Sequence, residues 1–323
     1  MARSSDAYLK TSIEDDAGTL VIGTWDSPPT YYVTAQGVPG VSVAALVSAV
    51  QGGFDAWTSV ASANISATYG GLTNAFPDQV DHQNVIGFAD LSGMPGFEDT
   101  LGFTDYLLAT DSTSPHFFET DIVLNANFPW STDPAGVPGR YDLQSIATHE
   151  IGHFMGLGHS AIGLVQTRAD GSLDVVGKRT VMFPIAFTPG NVSDRVLTPD
   201  DVAGISDLYP ASTFRTETGS ISGTVTENGQ GVFGAQIVAM NTRTGALISN
   251  FSIDQQGSYV IAGLSPGPYI VRVESLDQLD PSSFFDPAGP AVDTDFGVTY
   301  FSGPVVVPAG GNVPNINVTV TAQ

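Results

Sequence analysis

His149-Glu150-Ile151-Gly152-His153-Phe154-Met155-Gly156-Leu157-Gly158-His159 carries more chemical information than any other stretch of this 323-residue chain. His149 and His153 are four residues apart, so on an α-helix their imidazoles share a face and can grip one metal ion. Glu150 follows the first histidine, where a carboxylate can take a proton from a metal-activated water. Gly156 allows a sharp exit from the helix, because a left-handed residue costs glycine little. That exit swings His159 back as a third nitrogen donor. Three protein ligands and an open fourth position describe a catalytic zinc rather than a closed structural one. Three of the five histidines fall in this window. The alternative, a buried amphipathic helix with merely hydrogen-bonded histidines, leaves both the third histidine and the glycine unexplained.

Composition bounds what surrounds the motif. Acids outnumber Lys plus Arg by 33 to 10, a formal charge of −23, which disfavours nucleic acid because phosphate contacts need a basic surface. The same surplus suits a secreted protein and supplies carboxylates for calcium. Asp99, Asp105, Asp170 and Asp174 stand in loop-like stretches and are the candidates for a structural calcium. With no cysteine, disulfides cannot staple the fold, and stability must come from core packing and bound ions. No apolar run reaches the length of a membrane span; Val43–Val50 is far too short. Met1-Ala2-Arg3-Ser4-Ser5 lacks the apolar stretch of a signal peptide. That start reads either as a processed form of an extracellular protein carrying an added methionine or as a cytosolic chain, and the catalytic-zinc motif favours the first.

Texture divides the chain into an N-terminal extension over 1–18, a mixed α/β unit over 19–213 and an all-β unit over 214–323. In the mixed unit, Thr30–Thr34, Asn84–Phe88 and Thr120–Asn125 are strand candidates, with a Gly/Asp-rich loop between the last two, over Asp90–Asp105. Val43, Leu46, Val47, Val50, Phe54 and Trp57 recur at helical spacing, which Gly52-Gly53 weakens without ending. Asp142 is a suitable N-cap for the motif helix. Thr198 as N-cap, Pro199 in the first turn and Asp200-Asp201 at the positive helix end predict a last helix, stopped by Pro210. Beyond Phe214 strands are short and turns glycine-rich. Ser220–Val225, Ala235–Met240, Ser258–Ile261, Tyr269–Val273, Val305–Val307 and Ile316–Val320 read as a β-sandwich.

The eleven-residue motif, followed by Ser160, resembles the matrixin branch of the metzincin zinc endopeptidases, the relatives of matrix metalloproteases. Thr180-Val181-Met182-Phe183-Pro184 is similar to the metzincin Met-turn, and Leu197–Ile205 with Leu208-Tyr209-Pro210 to the matrixin C-terminal helix. The resemblance implies an α+β catalytic domain with a twisted five-stranded sheet and three helices. It implies one zinc on His149, His153 and His159, Glu150 as general base, and Met182 as a non-ligating floor. Gly223-Thr224-Val225, Gly257-Ser258-Tyr259 and Gly263–Tyr269 are similar to carboxypeptidase regulatory-like domains, which are transthyretin-like sandwiches. For that second unit two roles stay open: a passive spacer, or a module docking on protein, glycan or cell surface.

The chain also departs from these relatives. His82 and His116 are too few for a second, structural zinc and read as ordinary surface or core residues. Ala186, with Phe187 next, stands where the family often has a pocket-lining tyrosine. The expected function is a secreted zinc endopeptidase acting on protein or peptide substrates. The rivals are a non-catalytic adhesion or binding protein on the same scaffold, and a zinc hydrolase of non-peptide substrates.

Overall fold

The computed structural model describes residues 10–14, 20–109, 116–163, 165–167, 173–175, 180–276 and 279–323. Most of the 1–18 extension therefore lies outside the described residues. Lys10 forms a bridge to Leu157, and its Nζ lies 2.8 Å from Asp207 Oδ2.

The first unit begins with a small hairpin, β1 (Ser12–Glu14) and β2 (Leu20–Ile22). Its main sheet comprises β3 (Thr30–Thr34), β4 (Thr68–Thr73), β5 (Asn84–Ala89), β6 (Gly102–Ala109) and β7 (His116–Asn125), in the order β4-β3-β5-β7-β6. The first four in that order run parallel and β6 is antiparallel to β7. The strands predicted at Thr30, Asn84 and Thr120 are present. The loop expected over Asp90–Asp105 is corrected at its end, because β6 begins at Gly102. Gly102 and Asp105 favour turns by themselves, and pairing with β7 holds them in the sheet with the strand formers Phe103 and Thr104 between them. Strand β4 escaped the sequence reading for a related reason: Gly70-Gly71 interrupts its β-branched pattern. Buried acids on β7 fasten the loop before β5. Asp121 accepts from the backbone N–H groups of Asp78, Gln79 and Val85, and Glu119 from those of Asp81 and His82.

Helix α1 (Val43–Thr58) starts at its cap Ser42 and buries Leu46, Val50, Phe54 and Trp57 against the sheet and the motif helix α2 (Leu143–Phe154). Gly53 is what lets the two helices approach, whereas Gly52 faces only the movable end of the Gln144 side chain. A Cβ on Gly53 would lie 2.7 Å from Ile151 Cδ1, and one on Gly52 2.6 Å from Gln144 Nε2. Short pairs β8 (Trp130–Ser131) with β9 (Tyr141–Asp142) and β10 (Val165–Thr167) with β11 (Leu173–Val175) flank α2 in sequence.

Helix α3 (Pro199–Leu208) begins at Thr198, as its sequence predicts. Ile205 belongs to the core of the first unit, while Ala203 packs into the core of the second. A single helical turn, α4 (Phe214–Glu217), joins the two. The second unit is β-rich. One sheet contains β12 (Gly219–Glu227), β13 (Gln230–Gly231), β16 (Ser258–Leu264), β20 (Asn312–Val313) and β21 (Val318–Val320). The other contains β14 (Gln236–Asn241), β15 (Leu247–Phe251), β17 (Gly267–Glu274), β18 (Thr299–Tyr300) and β19 (Val305–Val307). Ile221, Val225 and Ile261 of one sheet share a core with Ile237, Val271 and Val273 of the other. No helix among the described residues is long and apolar enough to cross a membrane.

Candidate metal centre

Asp142 caps the start of α2, its carboxylate accepting the N–H of Ser145 at 2.9 Å. The helix ends at Phe154, and Gly156 turns the chain with φ of +97°. A Cβ there would stand 2.6 Å from the Gly23 carbonyl oxygen, so both conformation and space demand glycine. The carbonyls orphaned by this exit are met by aromatic donors: the Trp25 indole to Phe154 and the Tyr209 hydroxyl to Met155, each at 2.8 Å.

The turn brings His159 to the two helical histidines. His153 Nε2 lies 3.2 Å from Nε2 of both His149 and His159. Each Nδ1 faces a backbone carbonyl: Val181 for His149 at 2.6 Å, Leu157 for His153 at 2.8 Å, Ser283 for His159 at 2.5 Å. A carbonyl only accepts, so each Nδ1 is the protonated nitrogen and each Nε2 presents its lone pair inward. Three lone pairs converging without a proton between them repel one another, and a shared cation is what relieves that. Tetrahedral zinc, with Zn–N of about 2.0–2.1 Å, separates its nitrogens by roughly 3.3 Å, close to the observed spacing. These histidines therefore fit a metal, and among the described residues they form the one such group of three or more side chains. Burial, the second imidazole His159 and, against them, the Leu157 carbonyl leave His153 lowered to about 3; burial likewise lowers His159. Both are neutral at ordinary pH, as ligands must be.

Glu150 is buried beside them, and β6 runs past it. The Thr104 hydroxyl lies 2.8 Å from Glu150 Oε2 and 3.0 Å from its carbonyl oxygen. Burial pushes the Glu150 carboxyl up to about 7, with Thr104 pulling the other way. Met182 is fully buried beneath α2; a Cβ on Gly152 would lie 2.2 Å from its sulfur. Its turn is held from α3. Asp201 accepts from the N–H groups of Val181 (3.0 Å), Met182 (3.2 Å) and Thr198 (2.8 Å). The neighbouring Asp200 accepts from the Ser160 hydroxyl at 2.6 Å and from Ser249 N–H, in the second unit, at 2.7 Å.

His149, Glu150, His153, His159 and Met182 thus meet in one place. His82 and His116 lie apart, lining a separate groove with Trp25, Asp26 and Phe118. Among the described residues neither Asp99 nor Asp105 belongs to a cluster of three or more His, Asp or Glu side chains; Asp170 and the side chain of Asp174 lie outside the described residues. Ala186 and Phe187 border a small cavity with Tyr141 and Ile146. Thr104 and Ser283 were invisible in the sequence. Thr104 lies in what reads as loop, and Ser283 acts through its main chain. Asp201 was half visible: its place three residues after Thr198 marks a cap, but not its grip on the Met182 turn.

Fold and site together define a mixed-sheet unit built round a metal-competent histidine triad, followed by a β-rich unit. Residues 25–165 match the Matrixin family, and residues 220–285 match the Carboxypeptidase regulatory-like domain. Curated relatives include Metalloendoproteinase 2-MMP of Arabidopsis thaliana, 38% identical over 76 residues, which is 24% of this chain and 16% of that protein. Metalloendoproteinase 1-MMP of Arabidopsis thaliana is 31% identical over 118 residues, 36% of this chain and 26% of the relative. Metalloendoproteinase 1 of Glycine max is 36% identical over 73 residues, 23% of this chain and 18% of the relative. The chain thus spans between about a sixth and a quarter of the length of these relatives. It carries a matrixin domain and, C-terminal to it, a carboxypeptidase regulatory-like domain. The matrixin match ends at residue 165, so the Met182 turn and α3 lie beyond it.

Proposed function

We propose that the chain is a secreted zinc endopeptidase in which His149, His153 and His159 hold one zinc and Glu150 is the general base. The observation that carries this reading is the inward convergence of three Nε2 atoms whose Nδ1 partners are all backbone carbonyls. A zinc ion there supplies Lewis acidity, polarising a scissile carbonyl and lowering the pKa of water towards about 7. The chain's own groups do the rest. Glu150, held by Thr104, takes the proton from the attacking water and returns it to the leaving amine. Edge strand β6 has one strand neighbour among the described residues. Its free side, next to Glu150, offers main-chain partners to an extended peptide by strand addition. Met182 floors the site without ligating. Protein or peptide chains are the substrates, and the surplus of acid disfavours nucleic acid. The extension, catalytic and transthyretin-like sandwich regions divide at 18/19 and 213/214.

The adhesion alternative needs the histidines but gives no reason for a buried carboxylate oriented by a hydroxyl. The test is cleavage of casein or gelatin, abolished by a chelator and restored by zinc. Glu150→Gln is expected to retain stoichiometric zinc while turnover falls by about 10²–10⁴-fold. Undiminished cleavage by that variant would remove Glu150 from its role. Full zinc loading with no cleavage of diverse peptides by the native chain would favour the rivals.

A further inference from the structure

Two of the three histidines owe their orientation to their own unit. His149 and His153 stand on α2, and their Nδ1 acceptors, Val181 and Leu157, belong to the matrixin region and its flank. His159 is different. It lies five residues beyond the end of α2, on irregular chain after the Gly156 turn, and its Nδ1 partner is the carbonyl of Ser283 in the C-terminal unit, 2.5 Å away. That carbonyl ends a short 3-10 turn, Pro281–Ser283, capped by Asp280 through Ser282 N–H at 2.9 Å. The turn is pinned from both sides. Phe284 packs on Phe251 at 5.5 Å between ring centroids and faces His159 edge-on at 6.2 Å; Phe285 meets Phe251 at 5.2 Å. Leu279 packs on Phe183, next to Met182, and Leu276 shares a small core with Phe251 and with Ala161, two residues after His159.

We propose that the C-terminal unit is a working part of the metal centre: Ser283 is the positioning residue for His159, and residues 279–285 hold it in place. The inference rests on the zinc reading above. A histidine ligand's outer acceptor fixes its tautomer and ring angle and strengthens it as a donor. The third ligand is therefore complete only when the β-rich unit is docked. This goes beyond both roles considered for that unit, spacer and docking module.

The test uses the whole 323-residue chain, with both units present. Zinc affinity is read by competition with a chromogenic chelator, and ligand geometry by the visible absorption of the cobalt(II)-substituted protein. Leu279→Asp puts a charge into the apolar contact that seats the turn. Phe284→Ala removes the ring behind His159 while leaving the main chain. Both are expected to weaken zinc binding roughly tenfold or more and to alter the cobalt spectrum. Val271→Ala, which loosens the core of the same unit away from the turn, is expected to change neither. Native affinity and an unaltered spectrum in both turn variants overturn the proposal. So does an equal loss in Val271→Ala, which would mark a general effect of stability. His153→Ala separates the two levels: if it binds zinc as the native chain does, the three-histidine reading itself falls.

Discussion

Thr104 is a β-branched residue on an edge strand, yet its hydroxyl meets the carboxylate of Glu150, beside the histidine triad, 2.8 Å from Oε2. A hydrogen bond to a charged acceptor contributes about 1.5–3 kcal/mol. Thr104→Val keeps the shape and removes the donor, so kcat is expected to fall about tenfold with KM nearly unchanged. Steady-state kinetics on a peptide substrate measures this, and an unaltered kcat would deny Thr104 any part in orienting the base. Gly152 poses a packing question at the same scale. A methyl there meets Met182 sulfur at 2.2 Å and Trp57 Cζ2 at 2.9 Å, so Gly152→Ala is expected to cost about 1–3 kcal/mol of stability. Met182→Leu, which nearly conserves volume, is expected to cost under about 1.5 kcal/mol and to retain zinc. Loss of zinc in Met182→Leu would mean that the thioether does more than fill space.

Helix α3 is the element in which local signals carry most weight. Thr198, Pro199 and two acids announce its start, and the same acids fasten the Met182 turn, the chain after His159 and strand β15. Burial pushes the Asp200 carboxyl up to about 8; Ser160 draws it down, Asp201 raises it and Ser249 lowers it again. Burial raises Asp201 as well. A carboxyl whose folded-state pKa exceeds its unfolded value near 3.9 binds its proton more tightly in the folded chain. Its stabilisation is complete below about pH 4 and is lost as pH rises towards 8. The denaturant midpoint of the native chain should therefore fall more steeply from about pH 5 to pH 8 than that of Asp200→Asn. Asparagine imitates the protonated carboxyl and cannot ionise. Parallel pH profiles for the two proteins would place Asp200 in its charged form.

At the scale of the whole molecule, α3 belongs to both units, with Ile205 in one core and Ala203 in the other. Melting either unit strips one face of that helix. A single calorimetric transition is expected, and Ala203→Asp, which buries an unpaired charge, should lower it as a whole. Two separable transitions, only one of them shifted, would show the units to be thermally independent. What the sequence made legible follows the same division of scale. The triad, its glycine exit and the α3 cap were readable because each depends on neighbours within a few residues. Strand β4, the start of β6, Thr104 and the Ser283 carbonyl were not, because each is specified by something distant in the chain: a sheet partner, a crossing helix or a second unit. A change of texture from about Phe214 onward was visible in the sequence, but the sharing of α3 between two cores was not.

The crossing of α1 and α2 has a consequence for anyone surveying variants of this chain. Gly53 lies far from the histidines in sequence, but the atom that a methyl at 53 would strike, Ile151 Cδ1, belongs to the residue between Glu150 and Gly152. A screen scored by activity would place position 53 among the residues that do chemistry. A map of functional hits would then show a false outpost on α1, and only a paired measurement of folding would erase it.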